Sequence, residues 1–149
     1  MLLVVDNDSL TMRPWIAMLR EEGYEVELRN HVDRALNDAA EYKNLQCVIV
    51  DVMMPSPAQW SQEAQGGMAT GLVLAAKFRE IWPKVPIIFL TGQTNQAIVS
   101  KVKGFGQPST YLSKLTLKDE VWIAEVRRLA GPPEKPTIDA GAQDALHTA

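Results

Sequence analysis

With one cysteine in 149 residues, the sequence cannot form an internal disulfide. Cys47, at the head of an apolar run, reads as a small buried side chain. No apolar run is long enough to cross a bilayer and no charged-then-apolar leader is visible, so membrane insertion is not expected and the cytoplasm is the expected location. No basic block stands out against a net charge of −3, which gives no footprint for direct nucleic-acid binding. No G-x-x-x-x-G-K-[ST] loop exists, which sets aside nucleotide-triphosphatase chemistry. No internal repeat and no second domain is apparent. What remains is ordinary for a globular protein, with 46% hydrophobic and 22% charged residues, enough for one domain with a single core.

The order of elements is regular. "LLVVD" (2–6) is an apolar strand ending in an acid, and 9–22 is helical, with Asp8 or Ser9 as N-cap and Gly23 as the stop. "EVELRN" (25–30) alternates as a strand, and Asn30 caps a helix over 31–42. "CVIVD" (47–51) is a strand buried on both faces, stopped by Pro55. The helical period returns over 71–82, with Leu74, Phe78 and Ile81 on one face. "PIIFLT" (86–91) is a fourth strand, 95–103 a short helix, and "TYLSK" (110–114) a fifth strand. Thr116 and Asp119 have capping-box spacing before a last helix to Ala130, on which Trp122, Ile123, Val126 and Leu129 share an arc facing the core. Residues 1–130 thus read as one domain and 131–149, rich in Pro and Ala, as a flexible tail or linker.

Five strands alternating with helices predict a parallel sheet covered on both faces. In such sheets the site lies beyond the strand C-termini, where strand order reverses. Asp6, Asp51, Thr91 and Lys114 all fall at or just beyond those ends. Burying an unpaired carboxylate is costly, so Asp51 at the end of its apolar strand must be wet, paired or on a metal. Two aspartates, a hydroxyl and a lysine suit phosphate chemistry. A carboxylate can attack a phosphoryl group, the approach of two anions requires neutralisation, and Mg2+, an ammonium and a hydroxyl can supply it.

In their order, "VVDNDS", "VIVDVMMP", "PIIFLTG" and "YLSK" make the chain similar to response-regulator receiver domains of two-component signalling, over residues 1–130. The resemblance implies a flavodoxin-like, doubly wound five-stranded parallel sheet in the order 2-1-3-4-5 with helices on both faces. It implies Asp51 as phosphoacceptor, assisted by Thr91 and Lys114. Asp6, Asn7, Asp51 and the Met53 backbone carbonyl would hold Mg2+, and Thr91 and Tyr111 would act as the switch. The implied partners are a sensor histidine kinase or histidine phosphotransfer protein as donor. A downstream protein, or a second copy in a homodimer, would sit on the face made by the fourth helix, fifth strand and fifth helix. Such a protein is not a conventional enzyme; it catalyses at most its own phosphorylation and dephosphorylation.

Three departures from that pattern stand out. Asn7 replaces an acid, so its amide can ligate a cation but brings no charge. Leu115 replaces a proline, so a cis bond after Lys114 is not expected. Residues 56–70, "SPAQWSQEAQGGMAT", are longer than the usual connection. They read as an inserted loop with Trp60 folded onto the surface, or as a lid or docking element hinged at Gly66 and Gly67. Two other functions fit parts of the pattern. One is a phosphorylation-independent protein-interaction module. The other is a haloacid-dehalogenase-type phosphatase with Asp6 as nucleophile and Asp8 as general acid, although its acidic motif after the lysine is missing.

Overall fold

The computed structural model describes residues 1–92 and 95–134. Strands β1 (Leu2–Val5), β2 (Val26–Arg29), β3 (Cys47–Asp51), β4 (Ile87–Thr91) and β5 (Ser109–Ser113) form one sheet in the order β2-β1-β3-β4-β5. Every neighbouring pair is parallel, as a chain of strands joined by crossover helices must be. The helices are α1 (Ser9–Glu21), α2 (Val32–Asn37), α3 (Thr70–Ile81), α4 (Gln96–Lys103) and α5 (Asp119–Ala130).

Period-two alternation along the central strands divides the core in two. Leu2, Val4, Cys47, Ile49, Ile88 and Leu90 point to the face covered by α1 and α5, where Met12, Ile16, Leu19, Trp122 and Val126 meet them. Leu3, Val5, Val48, Val50, Ile87 and Phe89 point to the other face, covered by Val32 and Ala35 of α2, Leu74 and Phe78 of α3, and Ile98 and Val102 of α4. With both faces committed, the only polar ground left to the central strands is at their ends.

Several local expectations are corrected. The helix expected over 31–42 ends at Asn37, because Asp38 turns to receive Arg29 Nε at 2.8 Å, and a 3-10 turn (Ala39–Glu41) follows. Thr116 does not cap α5; the backbone N–H of Thr116 is held in a turn by Ser113 O, and the helix begins after Lys118. Ile81 lies 47% exposed at the end of α3, off the buried face carried by Leu74 and Phe78. Trp60 is not a surface residue: it is 8% exposed and packs in the core with Met54, Ala64 and Ala69. The described cis peptide is Gln107–Pro108, and none follows Lys114.

The segment after α5 is tied down over its first residues. Gln46 Nε2 donates to Ala130 O (3.1 Å) and Pro132 O (2.8 Å), and the Tyr24 hydroxyl donates to Gly131 O. The rest of the expected tail, 135–149, lies outside the described residues.

Candidate functional site

Asp6 follows directly on β1, Asp51 closes β3, Thr91 closes β4 and Lys114 follows β5, so the parallel polarity brings all four to one edge. Among the described residues four polar side chains are buried: Asp6, Asp51, Thr91 and Thr70. Three are the acids and hydroxyl expected from the sequence. Lys114 joins the central pair, its Nζ standing 2.8 Å from Asp6 Oδ2 and 3.3 Å from Asp51 Oδ2. The Lys114 backbone N–H donates to Thr91 O at 2.9 Å, which ties the ammonium's stem to the end of β4.

Backbone donors fix the two carboxylates. Asp8 N–H donates to Asp6 Oδ1 at 2.8 Å, and Met53 N–H donates to Asp51 Oδ1 at 3.3 Å. The Asp8 carboxylate is engaged elsewhere: it caps α1 by accepting from Thr11 N (3.1 Å) and Thr11 Oγ1 (2.6 Å). The cap hydrogen bonds hold its pKa below the ordinary value. Asn7 is exposed beside Asp6, and Met53 is 49% exposed.

Charge at the site is unbalanced. Burial, followed by the negative charge of Asp6, pushes the Asp51 carboxyl up to about 6; the Lys114 ammonium and the Met53 N–H pull it down without cancelling this. Burial opposes the charge on Lys114, but its hydrogen bond to Asp6 and the charge of Asp51 hold its pKa above the ordinary value. Two carboxylates therefore share one cation, and the surplus negative charge favours a second. The donors that chemistry offers here are oxygens: two carboxylates, with the Asn7 amide and the Met53 carbonyl adjacent in sequence. Oxygen donors of this kind, only two of them charged, suit a hard cation that keeps part of its water shell, such as Mg2+.

Two residues that sequence reasoning did not assign to the site belong to its frame. Gly71 opens the exit from the insertion, and a Cβ there would lie 2.2 Å from Asp51 O and 2.7 Å from Val52 Cα. Only glycine lets α3 approach the end of β3 so closely. Thr70, just before it, donates from Oγ1 to Met54 O at 2.6 Å. A glycine opening a helix soon after a strand-ending acid was the available signal.

The insertion itself is a packed structure with 3-10 turns at Ala58–Trp60 and Gln65–Gly67. Lys77 Nζ of α3 stands 5.1 Å from the centre of the Trp60 ring. Gly66 and Gly67 take positive φ (67° and 103°) inside this packing. Tyr111 is half-buried on β5 against the α2–α3–α4 core, with Lys103 Nζ 5.9 Å from its ring centre. A groove of about 280 Å³ runs there between α4 and β5, lined by Val102, Lys103, Ser109, Thr110 and Tyr111.

Comparison with known proteins agrees with this architecture. The family model described as the response regulator receiver domain matches residues 2–124. The probable transcriptional regulator ycf29 of Pyropia yezoensis is 31% identical over 118 residues, covering 76% of this chain and 46% of that protein. The chain thus spans about half the length of that curated relative. Among solved structures, the signal receiver domain of an HD domain-containing protein from Pseudomonas fluorescens Pf-5 superposes with a TM-score of 0.70 at 19% identity, over 99% of this chain and 90% of that one. The response regulator TrrA of Thermotoga maritima, solved in complex with Mg2+–BeF, gives 0.66 at 23% identity, over 86% and 96%. With the strand order, the buried acid pair and a family match over most of its length, this chain belongs to the response regulator receiver domain family.

Proposed function

We propose that this receiver domain of two-component signalling accepts a phosphoryl group on Asp51 from a phosphohistidine donor, with Mg2+ at the site, and changes its protein partners as a result. The observation that carries the reading is the Lys114 ammonium set between two buried carboxylates, 2.8 Å from Asp6 and 3.3 Å from Asp51. An oxygen of Asp51 attacks phosphorus, the P–N bond of the donor breaks as the P–O bond forms, and the imidazole leaves with the electron pair and takes a proton from water. Lys114 pairs with the incoming phosphoryl oxygens, its charge already in place before reaction. The Thr91 hydroxyl donates to a phosphoryl oxygen. Asp6, Asn7, Asp51 and the Met53 carbonyl hold Mg2+, which when bound neutralises charge on the phosphoryl oxygens. TrrA, whose fold this chain shares, was solved in complex with Mg2+–BeF, which supports Mg2+ as the cation.

Thr91 and Tyr111 form the switch in this reading. As Thr91 turns to the phosphoryl group, Tyr111 beside the α4–β5 groove reports the change to the face made by α4, β5 and α5. A downstream protein, or a second copy of the chain, reads that face. The donor is a sensor histidine kinase or a histidine phosphotransfer protein.

Asn7 favours a second reading, a module that binds partners without regulated phosphorylation, because it adds no charge for the metal. The phosphatase reading would need Asp8 as general acid, and that carboxylate caps α1. Intact mass after incubation with acetyl phosphate and Mg2+ separates the three. A metal-dependent adduct lost in Asp51→Asn supports the proposal. An adduct lost only in Asp6→Asn supports the phosphatase. No adduct, even with a phosphohistidine donor and with folding intact, supports the module.

A further inference from the structure

The insertion and the start of α3 hold successive peptide groups just beyond Asp51. Met53 C=O and Met54 N–H belong to the same planar trans amide, so fixing the N–H fixes the direction of the carbonyl. Met54 N–H donates to Gly67 O at 3.1 Å. The next carbonyl, Met54 O, accepts from Thr70 Oγ1 at 2.6 Å, and the same hydroxyl lies 3.3 Å from Gly67 O. Gly71 N–H donates to Val52 O at 2.8 Å. Three residues at the end of the insertion therefore grip the main chain between Asp51 and Pro55.

Gly67 suits this task in two ways. Its φ of 103° lies in the region that disfavours side chains, and a Cβ there would stand 3.1 Å from Met54 O. Thr70 is fully buried. The insertion is in turn anchored by Trp60, which is buried in the same core as Met54 and Ala64 and lies under Lys77. The loop is pinned in this way to the main chain that follows Asp51.

We propose that Gly67 and Thr70 are positioning residues for divalent-cation binding: Gly67 O holds the Met53–Met54 peptide, Thr70 holds the next carbonyl, Met54 O, and lies against Gly67 O, and together they fix the direction of the Met53 carbonyl, so that the insertion sets the cation affinity of the site. This rests on the reading of that carbonyl as a Mg2+ ligand. With only two carboxylates at the site, a larger share of affinity falls on neutral oxygens, and their pre-set direction counts for more. Groups that hold a metal ligand in place are commonly worth roughly 10–100-fold in affinity.

The experiment is an MgCl2 titration followed by 1H–15N amide spectra of the whole chain, for wild type, Thr70→Val, Thr70→Ser and Gly67→Ala. Thr70→Val keeps the shape and removes the donor, and the dispersed spectrum certifies that each variant is folded. The expected result is binding weakened about tenfold or more in Thr70→Val, restored in Thr70→Ser, and weakened further in Gly67→Ala. In phosphorylation by acetyl phosphate, the Mg2+ concentration for half-maximal rate rises by the same factor while the rate at saturating Mg2+ changes little. Folded Thr70→Val binding Mg2+ as tightly as wild type would overturn the inference and leave the phosphorylation reading standing. Failure of the wild type itself to bind Mg2+ would overturn both.

Discussion

Replacing Asp51 by asparagine removes one charge where two carboxylates share one ammonium, and the effect on stability has a sign that can be worked out. The Asp51 carboxyl is pushed from its ordinary 3.8 up to about 6, first by burial and then by the Asp6 charge. Between those two pH values the folded protein binds more protons than the unfolded chain, so this group's contribution to stability falls as pH rises through the window. Each tenfold in the proton equilibrium is worth about 1.4 kcal/mol, which sets an upper bound of about 3 kcal/mol on the cost of ionised Asp51 at neutral pH. The Lys114 attraction is already contained in that raised value, and screening by solvent at the wet strand edge discounts the bound, so a net gain of about 1–2 kcal/mol is expected. For a domain of this size that raises the melting temperature by roughly 3–8 °C. The assay is thermal unfolding of wild type and Asp51→Asn in chelator across pH 4 to 8. The difference should be near zero at pH 4, grow to about pH 6 and then level off. Added Mg2+ should stabilise the wild type and close the gap. A variant no more stable than wild type at pH 7.5 in chelator, or a difference that does not vary with pH, would refute the account of the site's electrostatics.

Other outcomes follow from the same geometry. Lys114→Ala leaves two buried acids without their ammonium and should destabilise the metal-free protein by about 3 kcal/mol at pH 7, with much of the loss recovered on adding Mg2+, as chemical denaturation would record. Gly71→Ala forces a methyl to within 2.2 Å of Asp51 O, so the β3 terminus or α3 must shift; a loss of about 2 kcal/mol and slower phosphorylation are expected, by denaturation and intact mass. Burial pushes the Cys47 thiol up to about 12, so it should react with a disulfide reagent at pH 8 only at the rate of unfolding. That thiol's contribution to stability is constant below about pH 9 and lost as pH rises from there toward 12, because the unfolded chain releases its proton first. Trp60→Ala should cost about 3 kcal/mol, where a surface tryptophan would cost almost nothing.

The strands and their acids were legible because they depend on patterns that tertiary structure reinforces. An apolar run of β-branched residues such as Val48-Ile49-Val50 has few alternatives to a strand covered on both faces, and polarity then puts Asp51 and Asp6 at the same edge. Trp122 was readable for the same reason, since its arc on α5 repeats at the helical period. The errors sit where a single distant partner decided the outcome. Asp38 ended α2 by turning to Arg29, and nothing in the helical period announces that pairing. Thr116 had the spacing of a cap, but the turn after β5 delayed the helix to Asp119. The insertion has polar composition, and its burial of Trp60 depends on a slot between Met54 and α3 that exists only once the sheet is built. For the site, residue types and strand ends were readable. The 2.8 and 3.3 Å distances and the surplus charge were not, because they depend on how far β5 carries Lys114 across the end of β3.

The clasp on residues 130–132 bears on reach. Gln46, which holds it, precedes β3, and its Oε1 also accepts from the Met1 ammonium at 3.2 Å. The clasp therefore lies at the strands' N-terminal ends, one strand length of roughly 15 Å from the acids. Cargo joined after Glu134 would start its path on the far side of the sheet from the acids. With residues 130–132 moored, the reach of anything attached there is shortened by whatever linker it needs to pass around the domain. A tethered partner would feel the acidic edge through the rigid body of the sheet and helices, and could touch it only after a detour around the outside. Cutting both ties, with Gln46→Ala and Tyr24→Phe, would lengthen the leash without touching the acids.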